Sequence, residues 1–163
     1  MNITKQLIET VRQKYQLDWN GIHGVAHWSR VKLNGLTLAT HYPGANVKVI
    51  ELFAFLHDSC RLNDGHDHRH GDRAADFAKE LNDKGIISLD DTELSILRYA
   101  CMFHTHGATL ADITTQICWD ADRLDLGRVG VYPDPKYLCT EAARCDIMIL
   151  QSYSRSLGFR SKK

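Results

Sequence analysis

Residues 50–58 of the 163-residue chain read Ile-Glu-Leu-Phe-Ala-Phe-Leu-His-Asp, an almost unbroken apolar run that ends in a histidine and an aspartate. With Pro43-Gly44 ahead of it, such a run reads as a helix that is apolar all round, and a helix of that kind belongs in the interior. The other elements then have to wrap it. Its end poses a chemical problem, because an imidazole and a carboxylate carried inward are costly unless something pairs with them. A divalent metal would do so, since neutral imidazole and carboxylate are common non-sulfur metal ligands. For a lone His-Asp pair the plainer alternative is a capped core histidine beside a solvated aspartate.

Composition narrows the setting. Twenty basic and twenty acidic residues cancel, so no global field draws the chain to long nucleic acid or an anionic membrane. No stretch approaches the roughly 20 apolar residues of a membrane span, and the amphipathic segment 1–11 lacks a signal-peptide core. Five cysteines form no C-x-x-C pair and are odd in number; they read as reduced, mostly buried thiols of a cytoplasmic protein. The length suits one domain, 1–163, able to bury a real core. Nine histidines, clustered along the chain, are the feature that needs a reason.

Taken in order, Ile3, Leu7, Ile8, Val11 and Tyr15 repeat at helical spacing. A second helix is expected from about Gly24 to Thr40, beginning with His23 and His27 on one face and Arg30 a turn further. The central apolar helix should run from about Asn46 to Cys60. A polar loop, Arg61 to His70, leaves it and is placed to rim a site; His66 and His68 read as its surface. A fourth helix carries Ala74, Phe77, Ala78 and Leu81. A fifth opens on Asp90 as N-cap with Glu93 completing a capping box, and its core face, Leu94, Leu97, Cys101, continues to His104. A shorter sixth is capped by Asp112 and leads into Asp120-Ala121-Asp122-Arg123-Leu124-Asp125. The last runs from about Thr140 to Leu157 with Ala143, Ile147 and Leu150 on its face, before a basic tail, Arg160 to Lys163, read as frayed and uninvolved. No strand pattern, repeat or linker appears. The class is an all-α, single-domain helical bundle of about six to eight helices.

Read together, His27, His57-Asp58, His70, His104 and Asp122 fall at helix ends or one-face positions, and inward ligands from facing helices are how a bundle holds a metal. The order His27, His57-Asp58, Asp122 resembles the HD-domain superfamily of metal-dependent phosphohydrolases, over about residues 20 to 130. The resemblance implies that His27, His57, Asp58 and Asp122 bind one divalent metal. Their ligand chemistry does not choose among manganese, iron, nickel, zinc, cobalt or magnesium. Such a metal lowers the pKa of a water that attacks phosphorus and polarises a phosphoryl oxygen. Some members hold a second metal with later histidines, the doublet aspartate bridging; His70, His104 and His106 are the candidates here, although His104-Thr105-His106 departs from the adjacent pair often seen there. The alternative for His70 and His104 is a substrate-binding or ligand-supporting role.

Arg30 and Arg61, each three residues beyond a proposed ligand, are expected to fork a phosphate. Arg61 is expected to overhang the metal, against the competing account that it pairs with Asp64 or Asp67 to order its loop. Arg123 reads as an ion-pair residue, and Asp125 as a support for a ligand. His23 stands between a role at the site and a helix-start histidine. Asp58, Arg61 and His70 are the catalytic candidates, with Asp64 as an alternative proton carrier; His23, Arg30, Arg61, Asp64 and His104 are the candidates for substrate contact. The expected function is hydrolysis of a nucleotide or other small phosphorylated metabolite, with monoester, diester and anhydride all open, and a homo-oligomer open too. Two other readings stand beside it: a non-catalytic metal- or nucleotide-binding regulatory module, and a diiron oxygenase of the HD type.

Overall fold

Residues 49–56 are buried without exception, so the central apolar run is the axis of the bundle. A computed structural model describes residues 2–158; the basic tail, 160–163, lies outside the described residues. The axis is helix α3 (Val47–Leu56), capped by Asn46, whose side chain accepts the Val49 N–H at 3.1 Å. It ends four residues short of the expected Cys60. The Ser59 hydroxyl donates to the Leu56 carbonyl at 2.8 Å, and the backbone advances in three-residue steps from there (Ser59 N to Leu56 O, Arg61 N to Asp58 O). A side chain that takes a carbonyl locally competes with the helix. His57 and Asp58 therefore sit in the turn that closes α3.

Around α3 lie α1 (Lys5–Lys14), α2 (Val25–Ala39), α4 (His70–Asp83), α5 (Asp91–Phe103), α6 (Ile113–Arg123), α7 (Glu141–Arg144) and α8 (Asp146–Leu157), with 3-10 turns at Leu126–Val129 and Pro135–Tyr137. No strand occurs among the described residues, and none of their helices is long and apolar enough to cross a membrane. Helix α2 packs on α3 and α6, α5 also faces α3, and α4 covers α5. Two glycines permit close approaches between helices. A Cβ on Gly35 of α2 would stand 2.5 Å from Ile50 Cγ2, and one on Gly71 of α4 would stand 2.5 Å from the Cys101 carbonyl of α5. The second contact draws the start of α4 against the end of α5, where His70 and His104 lie.

Helix α5 starts on the capping box read from the sequence: Asp90 accepts the Glu93 N–H at 2.9 Å and Glu93 accepts the Asp90 N–H at 3.1 Å. Glu93 also takes Lys48 Nζ at 2.8 Å and Asn46 Nδ2 at 3.0 Å, which welds the first turns of α3 and α5 together. The Lys48 and Asn46 bonds hold its carboxyl down at about 2.

Three readings of the sequence need correction. His23 precedes α2, which begins at Val25, because residues 18–25 form a tight turn (Gly21 N to Asp18 O 2.9 Å, Val25 N to Trp19 O 2.9 Å). Leu94, expected on the core face of α5, is only half-buried. The last helix is broken at Cys145, which is extended (ψ 129°). The break resets the helical phase, so α8 buries Met148, Ile149, Ser152 and Ser156 while Ile147 and Leu150 face outward.

Glu93→Gln should cost about 0.5–1 kcal/mol at pH 7, because the amide keeps the cap but loses the charge that pairs with Lys48. A depressed carboxyl stabilises above its ordinary pKa and loses that contribution as pH falls toward about 2. The gap between variant and wild type in urea melts should therefore narrow between pH 5 and pH 3.

Candidate metal centre

Four imidazoles meet at the inner ends of α2, α3, α4 and α5, and each spends Nδ1 on an acceptor outside the cluster. His27 Nδ1 donates to Asp125 Oδ2 at 2.7 Å and His57 Nδ1 to the Phe53 carbonyl at 3.1 Å. His70 Nδ1 donates to the Asp67 carbonyl at 2.5 Å and His104 Nδ1 to the Cys101 carbonyl at 2.6 Å. These acceptors fix the proton on Nδ1 and leave every Nε2 as a lone pair pointing inward. The lone pairs face one another, His27 to His57 at 3.1 Å and His70 to His104 at 2.9 Å. Two such lone pairs repel at that range unless a proton or a metal cation lies between them.

Two carboxylates complete the cluster. Asp122 Oδ1 is 3.4 Å from His27 Nε2 and 3.7 Å from His57 Nε2, and it is buried with no hydrogen-bond partner among the described residues. Asp58 divides its oxygens: Oδ2 faces His27 and His57 at 3.7 and 3.8 Å, Oδ1 faces His70 and His104 at 3.2 and 3.5 Å. Ligands about 2.0–2.4 Å from one ion, set at right to tetrahedral angles, stand about 3–4 Å apart. His27, His57 and Asp58 fit a divalent metal on that measure, and Asp122 Oδ1 reaches both histidines at the same spacing. The trio Asp58, His70, His104 fits as well, and it shares Asp58 with the first set.

The buried carboxylates favour positive charge among the histidines. Burial alone would raise Asp58, but the His57 charge and bonds from His104, His23 and His70 hold it well below the usual carboxylate range. Asp122, likewise opposed by burial, is held well below that range by His27, His57 and Arg128. Burial, joined by the Arg128 charge, pushes His27 down. His57 is pushed up, because Asp58 and Asp122 outweigh its burial.

The other expected residues fall in different places. His23 Nδ1 donates to Asp58 Oδ2 at 2.8 Å. Arg30, expected to fork a phosphate, grips Asp125 through Nε (2.6 Å) and Nη2 (3.0 Å); Asp125 in turn orients His27. Arg61 lies over Asp58 with Nη1 at 3.4 Å, and 3.2 Å from His70 Nε2. Its Nη2 and Nε go to the carbonyls of Gly65 (2.6 Å) and Asn63 (3.3 Å), so it ties the loop without Asp64 or Asp67. Asp67 is bound by Arg73. Asp64 and His106 are exposed and outside the donor cluster, as are His66 and His68. Among the described residues Arg123 pairs with no carboxylate; it donates to the Tyr137 and Ala108 carbonyls at 2.7 and 2.8 Å.

Arg128 was not legible as a site residue. It sits in the 3-10 turn after α6, buried, with Nη2 3.7 Å from Asp122 Oδ1. A short irregular turn carries no periodic signal that would reveal it.

No family model and no curated protein matches this chain. Among solved structures it is similar to a predicted HD superfamily hydrolase from an uncultured Thermotogales bacterium, at 27% identity over 95% of this chain and 87% of that one, with a TM-score of 0.67.

Asp125→Asn should weaken metal binding about 10–100-fold, the usual effect of losing a carboxylate that orients a ligating histidine. Titration of purified apoprotein with Mn²⁺ measures it, and equal affinity in the variant would contradict the role given to Asp125.

Proposed function

We propose that this chain, an HD-domain protein, is a metal-dependent hydrolase of small phosphorylated metabolites, a nucleotide being the preferred class. The observation that carries the reading is the charge balance of the buried cluster. Three carboxylates (Asp58, Asp122, Asp125) are already matched by three guanidiniums (Arg30, Arg61, Arg128), each within 4 Å of one of them. A divalent ion added to that set leaves a surplus of positive charge in a low-dielectric setting. A phosphate dianion cancels the surplus, and a neutral substrate would not.

A metal held by His27, His57, Asp58 and Asp122 would supply Lewis acidity toward a phosphoryl oxygen and a water of lowered pKa. The chain's own groups do the rest. His23, bonded to Asp58 Oδ2, is placed to hold or pass a proton at that oxygen. Arg61 anchors the 61–69 loop by its carbonyls and keeps Nη1 over Asp58 and His70, where a guanidinium complements developing negative charge. His70 and His104, with Asp58, offer a second metal position, and Arg61 Nη1 already stands against two of those three donors.

Protein purified without chelators should carry a divalent metal and release phosphate from part of a panel of nucleotides and phosphomonoesters. Chelation should lower its melting temperature, since a ligand at a hundredfold excess over Kd contributes about 2.7 kcal/mol. Asp58→Ala should abolish both the turnover and the chelator effect. Metal binding with no phosphate released from any substrate would leave a non-catalytic binding module. Iron content with oxygen uptake would move the reading to an oxygenase, for which the shared position of Asp58 is the relevant feature.

A further inference from the structure

We infer that Arg128 is the substrate-binding guanidinium of this site, donating Nη2 to an oxygen of the phosphoryl group beside Asp122. The inference rests on the hydrolase reading above and names the residue that recognises its anion.

The geometry singles Arg128 out among the three arginines. Arg30 has Nε and Nη2 committed to Asp125, and Arg61 has Nε and Nη2 committed to loop carbonyls. Arg128 is fixed just as firmly, but from behind. Its Nε donates to the Ile22 carbonyl at 3.0 Å and its Nη1 to the Asp125 carbonyl at 3.1 Å. No hydrogen bond within the described residues goes to Nη2. That nitrogen is turned to Asp122 Oδ1, at 3.7 Å too far to bond it, and among the described residues that oxygen accepts no hydrogen bond.

The backbone beneath it is held in place. The turn Leu126–Val129 rests on α8 through Gly127, where any Cβ would collide with Ser156 and Tyr153. The Ile22 bond ties Arg128 to the same tight turn that presents His23 to Asp58. A guanidinium held this way loses little freedom on binding an anion.

Once a metal joins Asp122, that carboxylate no longer matches the Arg128 charge alone. A cation 3.7 Å from a metal-ligand oxygen opposes the metal, unless an anion comes to lie against both. A phosphoryl group is such an anion, and a charge-assisted guanidinium bond to it is among the stronger polar contacts available.

Inorganic phosphate is the probe. Wild type, Arg128→Gln and Arg128→Lys are loaded with Mn²⁺, their metal stoichiometry is measured, and phosphate binding is followed by titration calorimetry. Arg128→Gln should keep the metal and bind phosphate about 10–100-fold more weakly, the scale for a lost hydrogen bond between charged groups. Arg128→Lys should fall between, because the ammonium keeps the charge and loses the fork. Unchanged phosphate affinity in Arg128→Gln overturns the inference. Loss of metal in both variants overturns it too and makes Arg128 a scaffold for Asp122. If Arg128→Gln does not fold, the lysine variant decides on the same criterion of intact metal and weaker phosphate. Absence of phosphate binding by metal-loaded wild type would instead bring down the hydrolase reading itself.

Discussion

Asp58 is a buried carboxylate whose two oxygens face two separate pairs of histidines, and the arrangement of the bundle's inner ends follows from it. An ionised carboxylate in the interior is tolerated only with partners on every side. Here they come from the turn before α2 (His23), from α2 and α3 (His27, His57), from the loop after α3 (Arg61), and from α4 and α5 (His70, His104). Those elements must therefore converge on one end of α3. The rest of the fold provides for that convergence: Gly71 allows α4 against α5, Gly35 allows α2 against α3, and Glu93 locks the far ends of α3 and α5.

The surrounding hydrogen bonds decide what the convergence can do. Histidines packed at random would present either nitrogen. Here backbone carbonyls three or four residues upstream take the Nδ1 protons of His57, His70 and His104, and Asp125 takes that of His27. Three of the four tautomers are thus fixed by local helix-end geometry. Only His27 depends on a residue distant in sequence, and that residue is itself steadied by Arg30. The result is an inward array of imidazole nitrogens and carboxylate oxygens that could hold a metal ion.

Much of this was legible in the sequence because it is carried by periodic elements. The apolar run specified a buried axis, and helical spacing placed His27, His57, Asp58 and His104 on inward faces or ends. What was not legible depends on contacts between distant segments or on irregular backbone. Arg30 looked available for a phosphate, because nothing local announced its pairing with Asp125, 95 residues away. Arg61 looked like a group over the metal, and it also closes its own loop through carbonyls that have no sequence signature. The break at Cys145 turned Ile147 and Leu150 outward, since a one-residue extended step shifts helical phase without any proline or glycine to mark it. Arg128 was missed for the same reason: its turn is short, and its importance lies in a distance to Asp122.

The central claim is that the four-residue set gathered around His27 and His57 is a metal site. The most direct test is a crystal of the protein soaked in Mn²⁺, with diffraction recorded at a wavelength where manganese scatters anomalously. The account predicts an anomalous peak within about 2.0–2.4 Å of His27 Nε2, His57 Nε2, Asp58 Oδ2 and Asp122 Oδ1. A fully soaked crystal with no peak there, or with manganese bound only elsewhere, would contradict it.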